Sequence, residues 1–319
     1  MSDKDAYRSL AQEEGVHLPL FCRDWWLDAV CGPGGWDAAV VEEGGRVAAA
    51  MPWHARRRLG LTLLVQPPLT QTLGPWVRET DAGPAGTLER QKRLMTELID
   101  RLPPFAHFEQ GWHHGVTNWL PFYWRGFTQT TRYTYVLPDL RDEGALWANL
   151  RENIRREIRK AEGRHGLTVR AADSPAELHD LNRKTFARQG RSVPYSPDVV
   201  ESIDRACEAR GCRRIWIAED GEGRAHAGAC VVWDEESAYY LIGGGDPELR
   251  TSGATSLCLW HAIRHAAAVT RRFDFEGSML EPVERFFRAF GARQVSYHLV
   301  RKTPSRLWRL RRFMQRPAG

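Results

Sequence analysis

The stretch Tyr239–Thr255, YYLIGGGDPELRTSGAT, is the part of the sequence that decides the fold. It reads as the end of a strand, a glycine-rich turn and the start of a long helix predicted over Ser252–Thr270. The first turn of a helix leaves N–H groups without an internal partner, and the helix dipole favours an anion there. The stretch therefore predicts a phosphate site, although a plain helix capped by Thr251 or Ser252 fits the same residues.

The predicted phosphate site combines an arginine side chain with backbone donors at the helix start. Its residues are Arg250, Ser252, Gly253, Ala254 and Thr255. Because glycine has no Cβ, we expect Gly253 to let the backbone approach a phosphate closely. A bulky residue at position 253 should then weaken binding of the donor, the substrate that carries the phosphate, while the fold survives.

Working outward, the second half of the chain has a clear order of elements. The elements before the long helix are a strand, two helices and three strands: Leu167–Ala171, Ser174–Gln189, Pro197–Ala209, Arg214–Glu219, Ala225–Trp233 and Ser237–Ile242. A strand, a short helix and a final strand follow it: Arg272–Glu276, Pro282–Phe290 and Gln294–Arg301. This order predicts an α/β fold of the α+β kind, with a mixed, mostly antiparallel sheet flanked by helices.

The first half repeats this order more weakly, which indicates two tandem domains of the same fold. Its predicted elements are Arg23–Cys31, Trp36–Glu42, Val47–His54, Leu61–Gln66, Leu88–Leu102, Phe105–Gln110, Asn118–Trp124 and Thr128–Leu137. A chain of 319 residues is long enough for two such cores. We expect an N-terminal domain over 1–140, a C-terminal domain over 141–302 with a connecting basic helix at 146–162, and a basic tail at 303–319.

Two carboxylates in the predicted strand RFDFE (272–276) are candidates for acid–base chemistry. Asp274 and Glu276 alternate with phenylalanines, so both side chains are expected on one face of the strand. Glu276 lies nearer the end of the strand and is the better candidate for binding or deprotonating an amine. Pairing of either carboxylate with a neighbouring arginine, to hold the sheet, fits the pattern equally well.

The loop Gly111–Gly115, GWHHG, follows a predicted strand end in the first domain. His113 and His114 are adjacent, so we expect their side chains to point in different directions, which argues against joint metal ligation. The two histidines are candidates for lining a pocket that binds the acceptor substrate, and a direct catalytic role for either one stays open. The six cysteines have no metal-binding spacing either, so no metal site is predicted, and we expect free, mostly buried thiols.

The order of elements resembles the Gcn5-related N-acetyltransferase (GNAT) fold, whose phosphate loop has the form Arg/Gln-x-x-Gly-x-Gly/Ala. Here that loop reads Arg250-Thr251-Ser252-Gly253-Ala254-Thr255, with threonine at the last position. The whole chain resembles the FemABX group, aminoacyl-tRNA-dependent transferases built on two tandem GNAT domains. The segments that carry this resemblance are LRENIRREIRKAEGRHGLTV (150–169), RFDFEGS (272–278), VERFFRAFGA (283–292) and LTQTLGPWV (69–77).

The resemblance implies roles for further residues. Phe287 stands where the family has a phosphate-binding lysine, so Arg285 and Arg288 are the expected substitutes, and Glu276 stands where the family has glycine. The expected acceptor-binding residues are Gln71, Gly74, Trp76, His113, His114 and Tyr239. In a GNAT-like sheet we expect the third and fourth strands to splay apart, so that a backbone N–H near Ile242–Gly244 stabilises the oxyanion.

Basic residues are concentrated in two segments, although the net charge of the chain is only +5. Residues 151–170 hold seven Arg or Lys against three Glu, and residues 301–319 hold seven without an acidic residue. A partner such as aminoacyl-tRNA, contacted through the helix 151–160 and the tail 301–316, would suit these segments, as would a membrane surface. Solvated helix faces that keep the protein soluble are the alternative.

The resemblance thus implies an acyltransferase. We expect it in the cytoplasm, because the N-terminus is polar and the chain has no apolar stretch of membrane-spanning length. We expect no permanently bound cofactor. The expected donor is aminoacyl-tRNA or acyl-CoA, and the expected acceptor is the amine of a small molecule, peptide or cell-wall precursor. The alternatives are an acyl-CoA-dependent N-acyltransferase and a non-catalytic protein that binds RNA or a membrane surface.

Overall fold

The backbone of the computed structural model forms two units, and the chain passes from the first to the second and back. The structure describes residues 1–314, with the backbone alone at 312–314. Unit 1 comprises Met1–Arg132 together with the residues from Ser296 onward, and unit 2 comprises Tyr133–Val295. The predicted division at residues 140 and 302 differs from this, because the last strand pairs with a strand of unit 1 from Leu299 to Lys302.

Unit 1 begins with helices and strands in nearly the predicted order. They are α1 (Asp3–Ala11), α2 (Asp24–Cys31), β1 (Trp36–Glu43), β2 (Arg46–Arg58), β3 (Leu61–Val65), β4 (Trp76–Val77), α3 (Pro84–Asp100), β5 (His107–Gly111), α4 (Leu120–Trp124) and the start of β6 (Thr128–Leu137). Helix α1 was not predicted. Its N-terminus is a capping box, in which Ser2 and Asp5 satisfy each other's backbone N–H groups.

Unit 2 continues from the end of β6. Its elements are α5 (Glu143–Asn149), α6 (Glu152–Gly163), β7 (Thr168–Ala172), α7 (Ala176–Arg188), α8 (Pro197–Glu208), β8 (Arg213–Glu219), β9 (Ala225–Trp233), β10 (Ser237–Gly245), α9 (Ala254–Val269), β11 (Arg272–Asp274) and α10 (Glu281–Arg288). The chain then runs through β12 (Arg293–Lys302) and ends, in unit 1, with α11 (Arg306–Met314).

Both units contain a mixed sheet. In unit 1 the strand order is β1-β2-β3-β5-β12, with β4 beside β2, and only β3 and β5 are parallel. In unit 2 the order is β6-β11-β10-β9-β8-β7, and only β10 and β11 are parallel. Strand β9 is buried along almost its whole length because α7 and α9 both pack on it. The mixed, mostly antiparallel sheets predicted from the sequence are confirmed.

The prediction of one continuous connecting helix at 146–162 is wrong. The segment forms two helices, α5 and α6, because Leu150 and Arg151 adopt extended backbone conformations with ψ of 136° and 150°. The Leu150 side chain is buried, and the Arg151 N–H donates to the carbonyl of Ala289 at 2.9 Å. Tertiary packing at this point therefore outweighs the helix propensity of the sequence.

Candidate active site

Strands β10 and β11 diverge soon after they meet. They pair in parallel only from Ser237↔Arg272 to Tyr239↔Asp274. Strand β10 continues to Gly245, three residues beyond its predicted end, and its register against β9 shifts between Tyr240 and Ile242. The expected splay between the third and fourth strands, β9 and β10, is wrong, because these two strands pair as far as Gly245↔Ala227. The opening lies on the other side of β10.

Asp274 is the last residue of β11, and its carboxylate is buried. Its Oδ1 accepts hydrogen bonds from the Thr134 hydroxyl and, at 2.7 Å, from the Glu276 N–H. Burial raises the pKa of Asp274 to about 6, and these two hydrogen bonds only partly offset that rise. Asp274 thus fixes the backbone where the chain leaves the sheet, and it keeps a proton to a higher pH than an ordinary aspartate.

Glu276 lies two residues beyond the end of β11, outside the strand in which it was predicted. Its φ of 58° is left-handed, which is uncommon for a residue other than glycine. The next residue, Gly277, also has positive φ, and a Cβ there would lie 2.3 Å from the Tyr133 carbonyl oxygen, so only glycine fits. This turn leaves the Glu276 side chain half-buried. Burial and the nearby Asp274 carboxylate raise the pKa of Glu276 well above its ordinary range.

The edge of β10 that β11 leaves open is met by side chains of α7. Asn182 Nδ2 donates to the Gly243 carbonyl at 2.6 Å, and the Tyr195 hydroxyl donates to Asn182 Oδ1 at 2.9 Å. Thr185 bonds both the N–H and the carbonyl of Gly245, at 2.9 and 3.1 Å. Since N–H and C=O of one strand residue point to the same edge, the Gly243 N–H also points to this opening. Gly243 is therefore the oxyanion candidate within the predicted range Ile242–Gly244.

The start of α9 has the predicted position but a different contact at its glycine. Gly253 has a φ of 84°, and a Cβ on it would lie 2.2 Å from the carbonyl oxygen of Glu157 in α6. Its missing side chain thus admits a neighbouring helix rather than a phosphate, and the expectation that a bulky residue leaves the fold intact is wrong. Ser252 and Ala254 are buried as well.

Four groups at the start of α9 nevertheless remain able to bind an anion. The side chains of Arg250 and Thr255 are exposed. Within residues 1–314, the backbone N–H groups of Thr255 and Ser256 have no hydrogen-bond acceptor. The helix is not capped by a side chain of Thr251 or Ser252, because its N-cap is Gly253. The anion site is therefore narrower than predicted, and it is displaced toward Thr255 and Ser256.

Unit 1 contains a cavity of about 750 Å³ that three of the predicted acceptor residues line: Gly74, Trp76 and His113. Two arginines in its wall are held by half-buried carboxylates outside it. Arg78 pairs with Glu13 at 2.7 Å and lies over the Trp76 ring, and Arg90 pairs with Glu43 at 2.7 Å. The cavity therefore presents a rigid polar wall whose positive charge is largely compensated.

The other predicted acceptor residues do not line this cavity. Gln71 and His114 are close in sequence to residues that line the cavity, but they do not line it themselves. Tyr239 is a buried residue of β10, paired with Asp274 of β11. The rings of His113 and His114 are 4.1 Å apart, so the expectation that they point in different directions is wrong. Among residues 1–314, no group of three or more His, Cys, Asp or Glu side chains is arranged to hold a metal.

Comparison with known proteins accounts for this geometry. Residues 148–288 match the family of acetyltransferase (GNAT) domains. The fold of the whole chain is similar to the crystal structure of FemX, with a TM-score of 0.64, 13% identity and coverage of 97% of this chain and 98% of that one. The chain has the tandem GNAT fold. The domain match places it among the acyltransferases.

Two more solved structures share the tandem GNAT fold. The C-terminal domain of a putative lysylphosphatidylglycerol synthetase from Agrobacterium fabrum has a TM-score of 0.56 and 12% identity, covering 98% of this chain and 97% of that one. A tandem GNAT protein from the clavulanic acid biosynthesis pathway has a TM-score of 0.52 and 12% identity, covering 92% and 91%. No curated protein matches the sequence.

In this tandem GNAT protein, the residue at the position of the phosphate-binding lysine of the FemABX group lies in the hydrophobic core. Phe287 is buried, and its ring lies 5.1 Å from Phe275 and 6.0 Å from Tyr240. Arg285 and Arg288, the predicted substitutes, pair with Glu281 and Glu284 along α10, each at 2.7 Å. Such surface pairs contribute little to stability, so either arginine is able to exchange its partner for a phosphate.

The two basic segments of the tandem GNAT protein differ in how far their charge is neutralised. In α6, Arg155 and Arg159 share Glu152, and Lys160 pairs with Glu157. The predicted tail is a helix, α11, over Arg306–Met314. Arg316, the last residue of the predicted RNA contact, lies outside the described residues. None of the helices within residues 1–314 has the length and apolar composition needed to cross a membrane.

Sequence reasoning missed Asn182 and Thr185, which bond the backbone of β10 at the opening. It also missed Tyr195 and Thr134, which bond the side chains of Asn182 and Asp274. Asn182 was assigned to the predicted helix 174–189 without a role. The signal that was available is its polarity at a position where the helix buries Leu178 and Leu181. A buried asparagine needs hydrogen-bond partners, and Asn182 has them in the Gly243 carbonyl and the Tyr195 hydroxyl.

Proposed function

We propose that this acyltransferase forms an amide by transferring an aminoacyl or acyl group onto an amine of a small molecule, peptide or cell-wall precursor. The observation that carries the proposal is Glu276, a half-buried carboxyl group with a raised pKa at the opening between β10 and β11. A general base works best when its pKa lies near the working pH, and an ordinary glutamate is too weak. The left-handed backbone at Glu276 is a strain of the kind that is often found at functional sites.

In the proposed reaction the amine nitrogen attacks the carbonyl carbon of the donor while Glu276 accepts a proton from the amine. The Gly243 N–H donates to the carbonyl oxygen as negative charge develops on it. The C–O bond of an aminoacyl ester, or the C–S bond of a thioester, then breaks, and the leaving oxygen or sulfur takes the proton back from Glu276. Asp274 stays a positioning residue, since its hydrogen bond to the Glu276 N–H fixes the turn.

Replacing Glu276 by glutamine tests this role, because it preserves size and removes the base. Turnover should fall by roughly 10²–10⁴-fold with little change in melting temperature. Glu281→Gln is the matched control, since Glu281 is an exposed residue nearby in the same segment. Near-normal turnover in the Glu276→Gln variant, with normal turnover in the control, would contradict the proposal.

We propose aminoacyl-tRNA as the donor, on two grounds. The FemABX resemblance covers nearly the whole chain, and α6 begins with cations suited to RNA phosphates. Arg151 and Arg156 are exposed, and neither pairs with an acidic side chain within residues 1–314. Unneutralised arginines are the groups that release counterions when they meet a phosphate backbone.

Acyl-CoA is a second candidate donor, favoured by the start of α9. The Thr255 and Ser256 N–H groups and Arg250 form an anion site of the size of a pyrophosphate, not of an RNA backbone. In addition, the family that matches residues 148–288 is described as an acetyltransferase domain.

The two donors differ in their dependence on salt. Binding of aminoacyl-tRNA should weaken steeply with salt concentration, and Arg151→Gln with Arg156→Gln should flatten the log–log slope by about two. Arg188→Gln, an exposed arginine in α7, should leave the slope unchanged. Turnover with acyl-CoA and none with aminoacyl-tRNA at low salt would reject the tRNA version. No turnover with either donor would favour a non-catalytic binding protein.

For the acceptor we propose the unit 1 cavity as the recognition site. Its volume of about 750 Å³ suits a small molecule or the end of a peptide. Trp76→Ala should raise the KM for the acceptor while leaving the KM for the donor unchanged. An equal rise in both values would contradict a separate acceptor site.

A further inference from the structure

The structure carries a surface on unit 1 that the transfer reaction does not use. It is formed by the turn between β2 and β3 and by the outer face of α11, and we call it the arginine–leucine surface. Its exposed residues are Arg56, Arg58, Leu59, Arg306, Leu307, Arg309 and Leu310. We propose that this surface binds the protein peripherally to an anionic lipid bilayer.

Packing brings the two parts of the surface together. Trp308, on the inner face of α11, is buried against Leu63 and Ala106, and Leu61 packs on the same cluster. Leu61 begins β3 directly after Leu59 and Gly60, the two residues of the turn. The helix is held in this position by the hydrogen bonds of Ser305 to Ala106 and of Trp308 to Ser305.

The apolar part of the surface points away from the protein. Leu307 and Leu310 are 61% and 58% exposed, and they lie one turn apart on α11, away from buried Trp308. Leu59 is 67% exposed and has a φ of 52°, in a two-residue turn where asparagine or glycine is preferred. A leucine in this place has neither a packing nor a conformational advantage in water, so its presence favours an apolar partner.

The charge on the surface is uncompensated. Within residues 1–314, none of Arg56, Arg58, Arg306 and Arg309 forms an ion pair with an acidic side chain. This contrasts with α6, where most cations have acidic partners. A helix with arginines beside exposed leucines is typical of one that lies in a membrane interface, with leucines among the acyl chains and arginines at anionic headgroups.

RNA fits the surface less well. Proteins that bind single-stranded RNA place aromatic side chains next to their cations, so that bases can stack. The apolar residues of this surface are leucines, and Trp308 of α11 is buried rather than exposed for stacking. The leucines therefore distinguish the two partners, since they contribute to bilayer binding and contribute little to phosphate binding.

The test uses the full chain in flotation assays with vesicles of phosphatidylcholine alone and of phosphatidylcholine with about 30% phosphatidylglycerol, in about 0.1 M salt. We expect binding to the anionic vesicles only. Leu59→Ser with Leu307→Ser and Leu310→Ser should weaken it at least tenfold, and each Arg→Gln change at positions 56, 58, 306 and 309 should weaken it about fivefold. Leu88→Ser and Arg188→Gln, at exposed positions elsewhere, are the controls.

Melting temperatures keep the result interpretable, because the altered side chains are exposed and the variants should stay folded. The proposal is overturned if the protein floats with neither vesicle, or if the leucine variant binds anionic vesicles as the parent does. It is also overturned if the protein binds tRNA but not vesicles, and loses that binding in the arginine variants alone. That last result would make the surface an RNA site.

Discussion

Asp274→Asn offers a quantitative test of the electrostatics at the opening. Burial raises the pKa of Asp274 to about 6, from an ordinary value of 3.8. A carboxyl group whose pKa is raised by folding stabilises the folded state while it is protonated, and this contribution is lost as the pH rises from about 4 through 6. A shift from 3.8 to about 6 corresponds to about 2 kcal/mol of unfolding free energy between pH 4 and pH 7, because the unfolded carboxyl group is already largely ionised at pH 4.

Asparagine removes this pH dependence while its Oδ1 can still accept from Thr134 and from the Glu276 N–H. Any constant cost of burying the amide cancels when the two pH values are compared. The measurement is urea unfolding of both proteins from pH 4 to pH 7, and the difference between them should change by about 2 kcal/mol over this range. Since Asp274 also raises the pKa of Glu276, the comparison is repeated in a Glu276→Gln background. Parallel pH profiles would refute the reasoning.

Four further substitutions have expected outcomes. Gly253→Ala should destabilise unit 2 by about 2–4 kcal/mol, because its Cβ would overlap the Glu157 carbonyl and its φ is positive, and thermal melting would reveal it. Phe287→Ala should cost about 3–5 kcal/mol, whereas a phosphate-binding position would tolerate it, so melting separates the two roles. Tyr195→Phe frees Asn182 Oδ1 and should lower kcat several-fold with an unchanged KM for the donor. Glu276→Gly should abolish turnover and leave the melting temperature equal to or above that of the parent.

Local patterns predicted the elements of unit 2 well because periodicity and turn residues determine them. Strand β9 has its predicted bounds, and α8 ends within one residue of them. The errors occur where tertiary contacts override local preference. The break at Leu150 depends on Ala289, and the extension of β10 to Gly245 depends on β9 and on Thr185 of α7. No periodicity in the chain carries information about such partners.

The sequence predicted the position of several candidate site residues better than it predicted their contacts. The pattern Arg-x-x-Gly-Ala-Thr located the start of α9 correctly, but a glycine that admits a phosphate and a glycine that admits a helix look the same in a sequence. The same limit applies to Phe287. A family position read as a missing lysine is a core position here, because its neighbours Phe275 and Tyr240 are aromatic.

Glu276 combines two features that each oppose folding, and this supports the proposed role of Glu276 as the base. A left-handed backbone at a residue other than glycine costs about 1–2 kcal/mol, and a half-buried carboxyl group with a raised pKa costs more at neutral pH. Glycine, the residue that the FemABX pattern has at this position, would remove both costs at once. Gly277 shows that the turn itself needs positive φ, so glycine at 276 would suit the backbone as well. A general base at the opening needs a carboxyl group whose pKa is raised, and Glu276 supplies one.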